Sequence, residues 1–185
     1  MQNFTLVALR IFIFHNEIVV LDVKKLKPIK MLVLDVDGVL TDCRIWLDSN
    51  GEWKRFFSIR DGVGIKLLKE AGYKLAIITG TKAVDIQARA KVLGFDYFYE
   101  GALDKVPAFA QLKVESGISS AEIAYVGDDI FDIPLIKQVG FGATVPDAVD
   151  EVIECSHYVT KRPGGNGAVR EVCDFILKYG YFSKN

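Results

Sequence analysis

From Lys30 onward, short unbroken aliphatic runs alternate with longer stretches of mixed polarity. Met31–Leu34, Leu75–Ile78 and Ile123–Val126 have no polar position, so they predict strands buried on both faces. Tyr97–Tyr99, Phe141–Thr144 and His157–Thr160 predict shorter strands. Between them, helices are predicted over Asp61–Ala71, Lys82–Leu93, Asp104–Ser116, Ile130–Val139 and Gly167–Tyr179, with a helical turn near Ala148–Ile153. Asp61 is placed to cap the first helix, and Gly72 and Gly94 to end the first two. Ser119-x-x-Glu122 has the spacing of a capping box but runs straight into a strand, so no helix is expected there. Cys43–Leu47 and Trp53–Ile59 flank Ser49-Asn50-Gly51, and Asn-Gly between β-prone runs predicts a hairpin. Strand–helix alternation builds a parallel sheet covered on both faces. The expected fold class is α/β: a Rossmann-like three-layer α/β/α arrangement with a mainly parallel central sheet and a protruding β-hairpin.

Residues 1–27 break this pattern and are read as an N-terminal extension, leaving 28–185 as the folded domain. Phe4–Phe14 is apolar except at Arg10. It is far shorter than the roughly 20 residues that span a bilayer. It also lacks the basic lead and small-residue cleavage site of a signal peptide, so no membrane partner is expected.

Charge narrows the function classes. With 23 basic against 24 acidic residues, no basic excess drives nucleic-acid binding. Cys43, Cys155 and Cys173 are odd in number and widely spaced. That argues against a disulfide framework or structural zinc and fits a reducing cytoplasm. His15 and His157 are the only histidines, which disfavours chemistry built on imidazole.

Ligands of open parallel sheets sit beyond the carboxyl ends of the strands. The first strand is followed by Asp35-Val36-Asp37-Gly38-Val39-Leu40-Thr41-Asp42 and the second by Thr79-Gly80-Thr81-Lys82. Asp104-Lys105 opens a helix, and Gly127-Asp128-Asp129, with Asp132 one turn on, follows the Ile123–Val126 strand. Carboxylates gathered at one sheet edge are costly to ionise together unless a cation is present. Oxygen ligands favour a hard divalent ion such as Mg²⁺. Mg²⁺ beside a lysine would neutralise a phosphoryl group in transfer, and a carboxylate can act as nucleophile.

In this order, Asp-x-Asp-Gly-Val-Leu-Thr-Asp, strand-Thr-Gly, Lys and Gly-Asp-Asp-x-x-Asp resemble the haloacid dehalogenase superfamily of phosphatases. The resemblance spans about Lys30 to Tyr179. It implies Asp35 as nucleophile and Mg²⁺ ligand, and Asp37 as general acid/base whose backbone carbonyl also ligates Mg²⁺. It further implies Thr79 as the hydroxyl holding the phosphoryl group, Lys105 as the neutralising cation, Asp128 as the remaining metal ligand and Asp129 as a supporting partner. Many such phosphatases carry a cap domain, but the intervals Asp37–Thr79 and Thr79–Asp128 have no room for one.

Finer motifs resemble the capless 3-deoxy-D-manno-octulosonate 8-phosphate phosphatases. These are Glu52-x-Lys54, Ile59-Arg60-Asp61-Gly62-Val63-Gly64-Ile65 and Arg162-Pro163-Gly164-Gly165-Asn166-Gly167-Ala168-Val169-Arg170-Glu171-Val172-Cys173. The resemblance implies a homotetramer packed through its hairpins. It places substrate-binding positions at Asp37, Ser58, Ile59, Arg60, Asp61, Gly62, Lys66, Thr81, Arg89 and Lys105. The implied reaction releases phosphate and the free sugar acid for lipopolysaccharide. One position departs, because the family's usual Arg after Thr-Gly is Thr81 here. A phosphatase of a sialic-acid-like nonulosonate 9-phosphate, or of another small phosphorylated metabolite, therefore stays open. From a different class, so does a non-catalytic scaffold subunit. Trp46, Trp53, Phe56 and Phe57 on one hairpin point to a subunit contact.

Overall fold

The computed structural model describes residues 9–14 and 17–182. Strands β1 (Leu9–Phe14) and β2 (Glu17–Asp22) pair antiparallel, so the described part of the extension is a hairpin. Residues 1–8, where the predicted apolar run begins, lie outside the described residues. A 3₁₀ turn at Val23–Lys25 follows, and Val23 and Leu26 are buried in the core of the main domain. No helix among the described residues is long and apolar enough to cross a membrane.

The central sheet is assembled from β3 (Met31–Leu34), β6 (Lys74–Ile78), β7 (Tyr97–Tyr99), β8 (Ile123–Val126), β9 (Phe141–Thr144) and β10 (Tyr158–Val159). All its pairings are parallel, in the order β10-β9-β8-β3-β6-β7. Alternating side chains face opposite layers. Leu32, Leu34, Leu75, Ile77, Ala124 and Val126 join one core, while Met31, Val33, Ala76, Ile78, Ile123 and Tyr125 join the other. Helices α1 (Ile59–Glu70), α2 (Val84–Leu93) and α6 (Ala168–Tyr179) cover the first face. The second is covered by α3 (Lys105–Ser116), α4 (Ile133–Ile136) and α5 (Asp150–Cys155). This is the expected three-layer arrangement, and no cap intervenes between the motifs.

The chain leaves β3 for β6 and β7, then returns to β8 on the other side of β3. That reversal opens a crevice at the carboxyl ends of β3 and β8. Because Leu34 is in register with Val126, Asp35 and Gly127 emerge at the same level.

Several local expectations change. The hairpin pairs only β4 (Trp46–Leu47) with β5 (Trp53–Lys54), around a turn closed by Gly51 N donating to Asp48 O. Ser58, not Asp61, caps α1, its hydroxyl accepting from Asp61 N. Asp61 is buried and caps a different helix, accepting from the backbone N–H of Gly167 and Arg170 at the start of α6. Long-range capping of this kind has no signature in the residues beside Asp61. The Ser119–Glu122 box does form, on a 3₁₀ turn at Ser120–Glu122 that leads into β8. Ile130–Val139 splits into a 3₁₀ turn (Ile130–Asp132) and α4.

Tyr73 fastens the C-terminal end to the sheet. Its buried hydroxyl donates to Ile176 O at 3.1 Å and accepts from Phe182 N at 3.0 Å. Tyr73→Phe leaves Phe182 N without this acceptor, while Ile176 O keeps its bond from Gly180 N, and should lower stability by about 1 kcal/mol. Urea unfolding would show this as a lower midpoint with an unchanged slope.

Candidate active site

At the crevice, a cavity of about 170 Å³ is lined by Asp35, Asp37, Cys43, Thr79, Gly80, Thr81, Leu103, Lys105, Asp128, Asp129, Phe131 and Asp132. The residues at the ends of β3, β6 and β8 and at the start of α3 are thus brought together. Asp35 is held by its backbone N–H, which donates to Val126 O as if the strand continued one residue further. Thr79 is buried and fixed in the same way by Tyr99 O.

Burial dominates the electrostatics here. Oxygens of Asp35, Asp128 and Asp132 all lie within 4.8 Å of one another. The single cation among them is Lys105, with Nζ 2.9 Å from Asp35 Oδ1 and 2.5 Å from Asp132 Oδ1. Burial pushes the Asp35 carboxyl well above its ordinary value, while Lys105 pulls it back. Asp128 is pushed up to about 8 by burial and then by Asp35 and Asp132. Burial opposes the charge on Lys105, but Asp35 and Asp132 outweigh it and hold the ammonium above the usual lysine range.

Asp132, rather than Asp129, is the buried support of this cluster. Its Oδ1 accepts from Lys105 and from the Tyr125 hydroxyl, and its Oδ2 accepts from the backbone N–H of Asp128 and Asp129. The Asp129 side chain is exposed and caps the 3₁₀ turn through Ile130 N. With Asp132 so occupied, Asp35 and Asp128 are the carboxylates left for an ion. Asp128 Oδ1 is buried and has no hydrogen-bond partner. An orphaned carboxylate oxygen facing a second carboxylate is what a divalent cation satisfies, so the residues fit Mg²⁺. Gly38 permits the approach. Its φ of 87° is left-handed, and a Cβ there would lie 1.9 Å from Asp128 Oδ2.

The Asp37 carboxylate stands apart from this cluster. Arg55 Nε and Nη2 donate to its two oxygens at 2.6 and 3.2 Å, and Thr81 Oγ1 donates to Oδ2 at 3.0 Å. Arg55 lies in the hairpin, where nothing in its neighbours marks it. Cys43 also reaches the cavity, its Sγ 3.8 Å from Asp128 Oδ2, from a left-handed backbone (φ 60°). Burial and Asp128 push its thiol up to about 12.

Ser58, Ile59, Arg60, Asp61, Gly62, Lys66 and Arg89 do not line this cavity. Arg89 donates to Ser58 O at 2.9 Å and lies over the Phe57 ring. Arg60 faces a separate cleft with Arg162 and Arg170, and Lys66 is exposed on α1.

Residues 57–140 match the haloacid dehalogenase-like hydrolase family. The chain is 43% identical over 155 residues to the 3-deoxy-D-manno-octulosonate 8-phosphate phosphatase KdsC of Escherichia coli K12, covering 84% of this chain and 82% of that protein. Its fold matches the Moraxella catarrhalis 3-deoxy-D-manno-octulosonate 8-phosphate phosphatase, solved with magnesium, phosphate and KDO. There the TM-score is 0.84 at 40% identity, covering 87% of this chain and 92% of that one. The Yersinia pestis phosphatase of the same name matches with a TM-score of 0.87 at 37% identity, covering 95% of each chain.

Asp128→Asn removes a carboxyl group whose ionisation burial and its acidic neighbours oppose. It should raise the melting temperature of the metal-free protein, each ~1 kcal/mol giving about 2–4 °C at this length. The same variant should abolish the further rise that Mg²⁺ produces in the parent. Differential scanning calorimetry with and without Mg²⁺ checks both signs.

Proposed function

Because the chain belongs to the haloacid dehalogenase-like hydrolases, we propose that its crevice hydrolyses the phosphomonoester of 3-deoxy-D-manno-octulosonate 8-phosphate. The products are the free sugar acid and phosphate. The observation that carries this reading is the buried Asp35–Lys105 pair beside the orphaned oxygen of Asp128. It supplies a nucleophile, a fixed cation and a metal position in one pocket.

Asp35 attacks phosphorus through its carboxylate, and the bond from phosphorus to the sugar oxygen breaks. Asp37 gives its proton to that departing oxygen. Asp37 then takes a proton from water, which attacks the phosphoaspartate, freeing phosphate and restoring Asp35. Thr79 holds the phosphoryl oxygens by its hydroxyl, and Lys105 neutralises both nucleophile and phosphate. Asp35, Asp128 and the Asp37 backbone carbonyl would hold Mg²⁺, which would add charge neutralisation at phosphorus.

Selectivity for the sugar acid comes from a neighbouring copy in a homotetramer. Trp46, Leu47, Trp53, Phe56 and Ile59 are exposed together on and beside the hairpin, an apolar surface suited to burial between subunits. Ser58, Arg60, Asp61, Gly62, Lys66 and Arg89 lie on or beside α1, next to that surface, where Arg60 and Lys66 can meet a neighbour's substrate carboxylate. The phosphatase unit is 28–185, with Val23 and Leu26 of the preceding extension packed into its core. The three free cysteines favour a reducing cytoplasm, where a lipopolysaccharide precursor would be made.

Thr81 supports a second reading within the same chemistry, a nonulosonate 9-phosphate, because a hydroxyl there offers no guanidinium fork to a carboxylate. Phosphate release from octulosonate 8-phosphate should require Mg²⁺ and cease with EDTA. Asp35→Asn should abolish turnover while circular dichroism stays unchanged. Thr81→Arg should raise kcat/KM for the octulosonate if that is the substrate. A better nonulosonate rate in the parent would favour the second reading.

A further inference from the structure

Among the described residues, Arg55 is the cation that pairs with the Asp37 carboxyl group, and its setting is built rather than incidental. Its side chain is 5% exposed although it follows an exposed hairpin strand. Nε and Nη2 meet both oxygens of Asp37 fork to fork, while Nη1 reaches Asp85 Oδ1 at 3.3 Å. Asp85 sits in the first turn of α2 and also accepts from Ile86 N at 2.9 Å. The guanidinium is therefore fixed by two carboxylates from two different elements.

We propose that Arg55 is a positioning residue for Asp37, aiming its carboxyl group at the departing oxygen from an anchor on Asp85. The proposal rests on the phosphatase reading above. Asp37 lies on a loop between β3 and a left-handed glycine, and its side chain is 31% exposed. Left alone, such a carboxyl group would rotate. An acid–base group has to lie within about 2.6–3.2 Å of its proton acceptor, and a misplacement of ~1 Å costs on the order of 100-fold in rate. Arg55 sets the carboxylate plane by its planar fork, and the Thr81 hydroxyl closes the remaining freedom at Oδ2. Asp85 keeps the guanidinium in place while the Asp37 carboxyl group gains and loses its proton. A lysine would keep the charge without spanning both oxygens. The arrangement also ties the hairpin to the chemical centre, because Arg55 follows β5 directly.

The test compares the parent with Arg55→Gln, Arg55→Lys and Asp85→Asn. On octulosonate 8-phosphate, Arg55→Gln should lower kcat roughly tenfold or more while KM stays within about threefold. Arg55→Lys should recover part of the loss, and Asp85→Asn should show a smaller loss of the same kind. With p-nitrophenyl phosphate, whose phenolate leaves without a proton, the first-turnover burst in Arg55→Gln should keep the parent rate while later turnovers slow. An active parent with an unaltered Arg55→Gln overturns the positioning role alone. So does a raised KM at constant kcat, or equal slowing of burst and steady rate. A parent that hydrolyses no phosphomonoester overturns the functional reading and this role with it.

Discussion

The structure depends on concentrating negative charge in a largely buried crevice. Three carboxylates with oxygens inside 4.8 Å share one buried ammonium. Burial penalises the charged form of each acid, and proximity penalises it again. Lys105 offsets part of this, and Asp132 spends its lone pairs on Tyr125 and two backbone N–H groups. What is left over is concentrated on Asp35 and Asp128, where a bound proton or a further cation relieves it. A site built this way has its field in place before a phosphate ester arrives, which is the condition for electrostatic stabilisation of a transferring phosphoryl group.

The centre of the parallel sheet was legible because the runs Met31–Leu34, Leu75–Ile78 and Ile123–Val126 are short and almost wholly aliphatic, which few other structures tolerate. The ends of those strands were legible for the same reason. A carboxylate that closes an apolar strand has to be at the sheet edge, so Asp35, Thr79 and Asp128 could be assigned to one place. The misreadings concern side chains whose partners are distant in sequence. Asp61 looked like the cap of its own helix, yet its carboxylate serves Gly167 and Arg170, more than a hundred residues away. Asp129 was preferred to Asp132, although Asp132 sits one turn on among apolar neighbours, the pattern of a buried acid. Arg55 carried no signal, because its meaning appears only when the hairpin folds back over the loop after β3.

The absence of a cap between the motifs shifts the problem of selectivity. A cavity of about 170 Å³ admits a phosphoryl group and its metal but encloses little of a sugar acid. The cations that sequence resemblance assigns to the sugar acid, Arg60, Lys66 and Arg89, lie outside it. Exposed Trp46, Trp53, Phe56 and Ile59 stand on and beside the same hairpin that carries Arg55. An apolar surface and the crevice are thus connected through one short hairpin. Association through the hairpin would then do two things at once, enclosing the substrate and fixing the element from which Asp37 is held.

Two residues apart in sequence, Asp35 and Asp37 occupy opposite environments, and that difference suits the separate roles proposed for them. Asp35 is buried against Lys105 and the other acids, where a carboxylate is crowded, desolvated and aimed at the metal position. Asp37 is partly open to water and held by a guanidinium and a hydroxyl, apart from the cluster. A nucleophile needs a fixed lone pair next to neutralising charge, whereas an acid–base group needs a path for protons and a constant orientation. The chain changes course between them, since Asp35 directly follows the strand and Asp37 lies in the turn after it. That turn carries the second carboxylate to Arg55 and Thr81 while the first stays with Lys105. Gly38 follows at once in a left-handed conformation, turning the chain away so that Asp128 can close on the first.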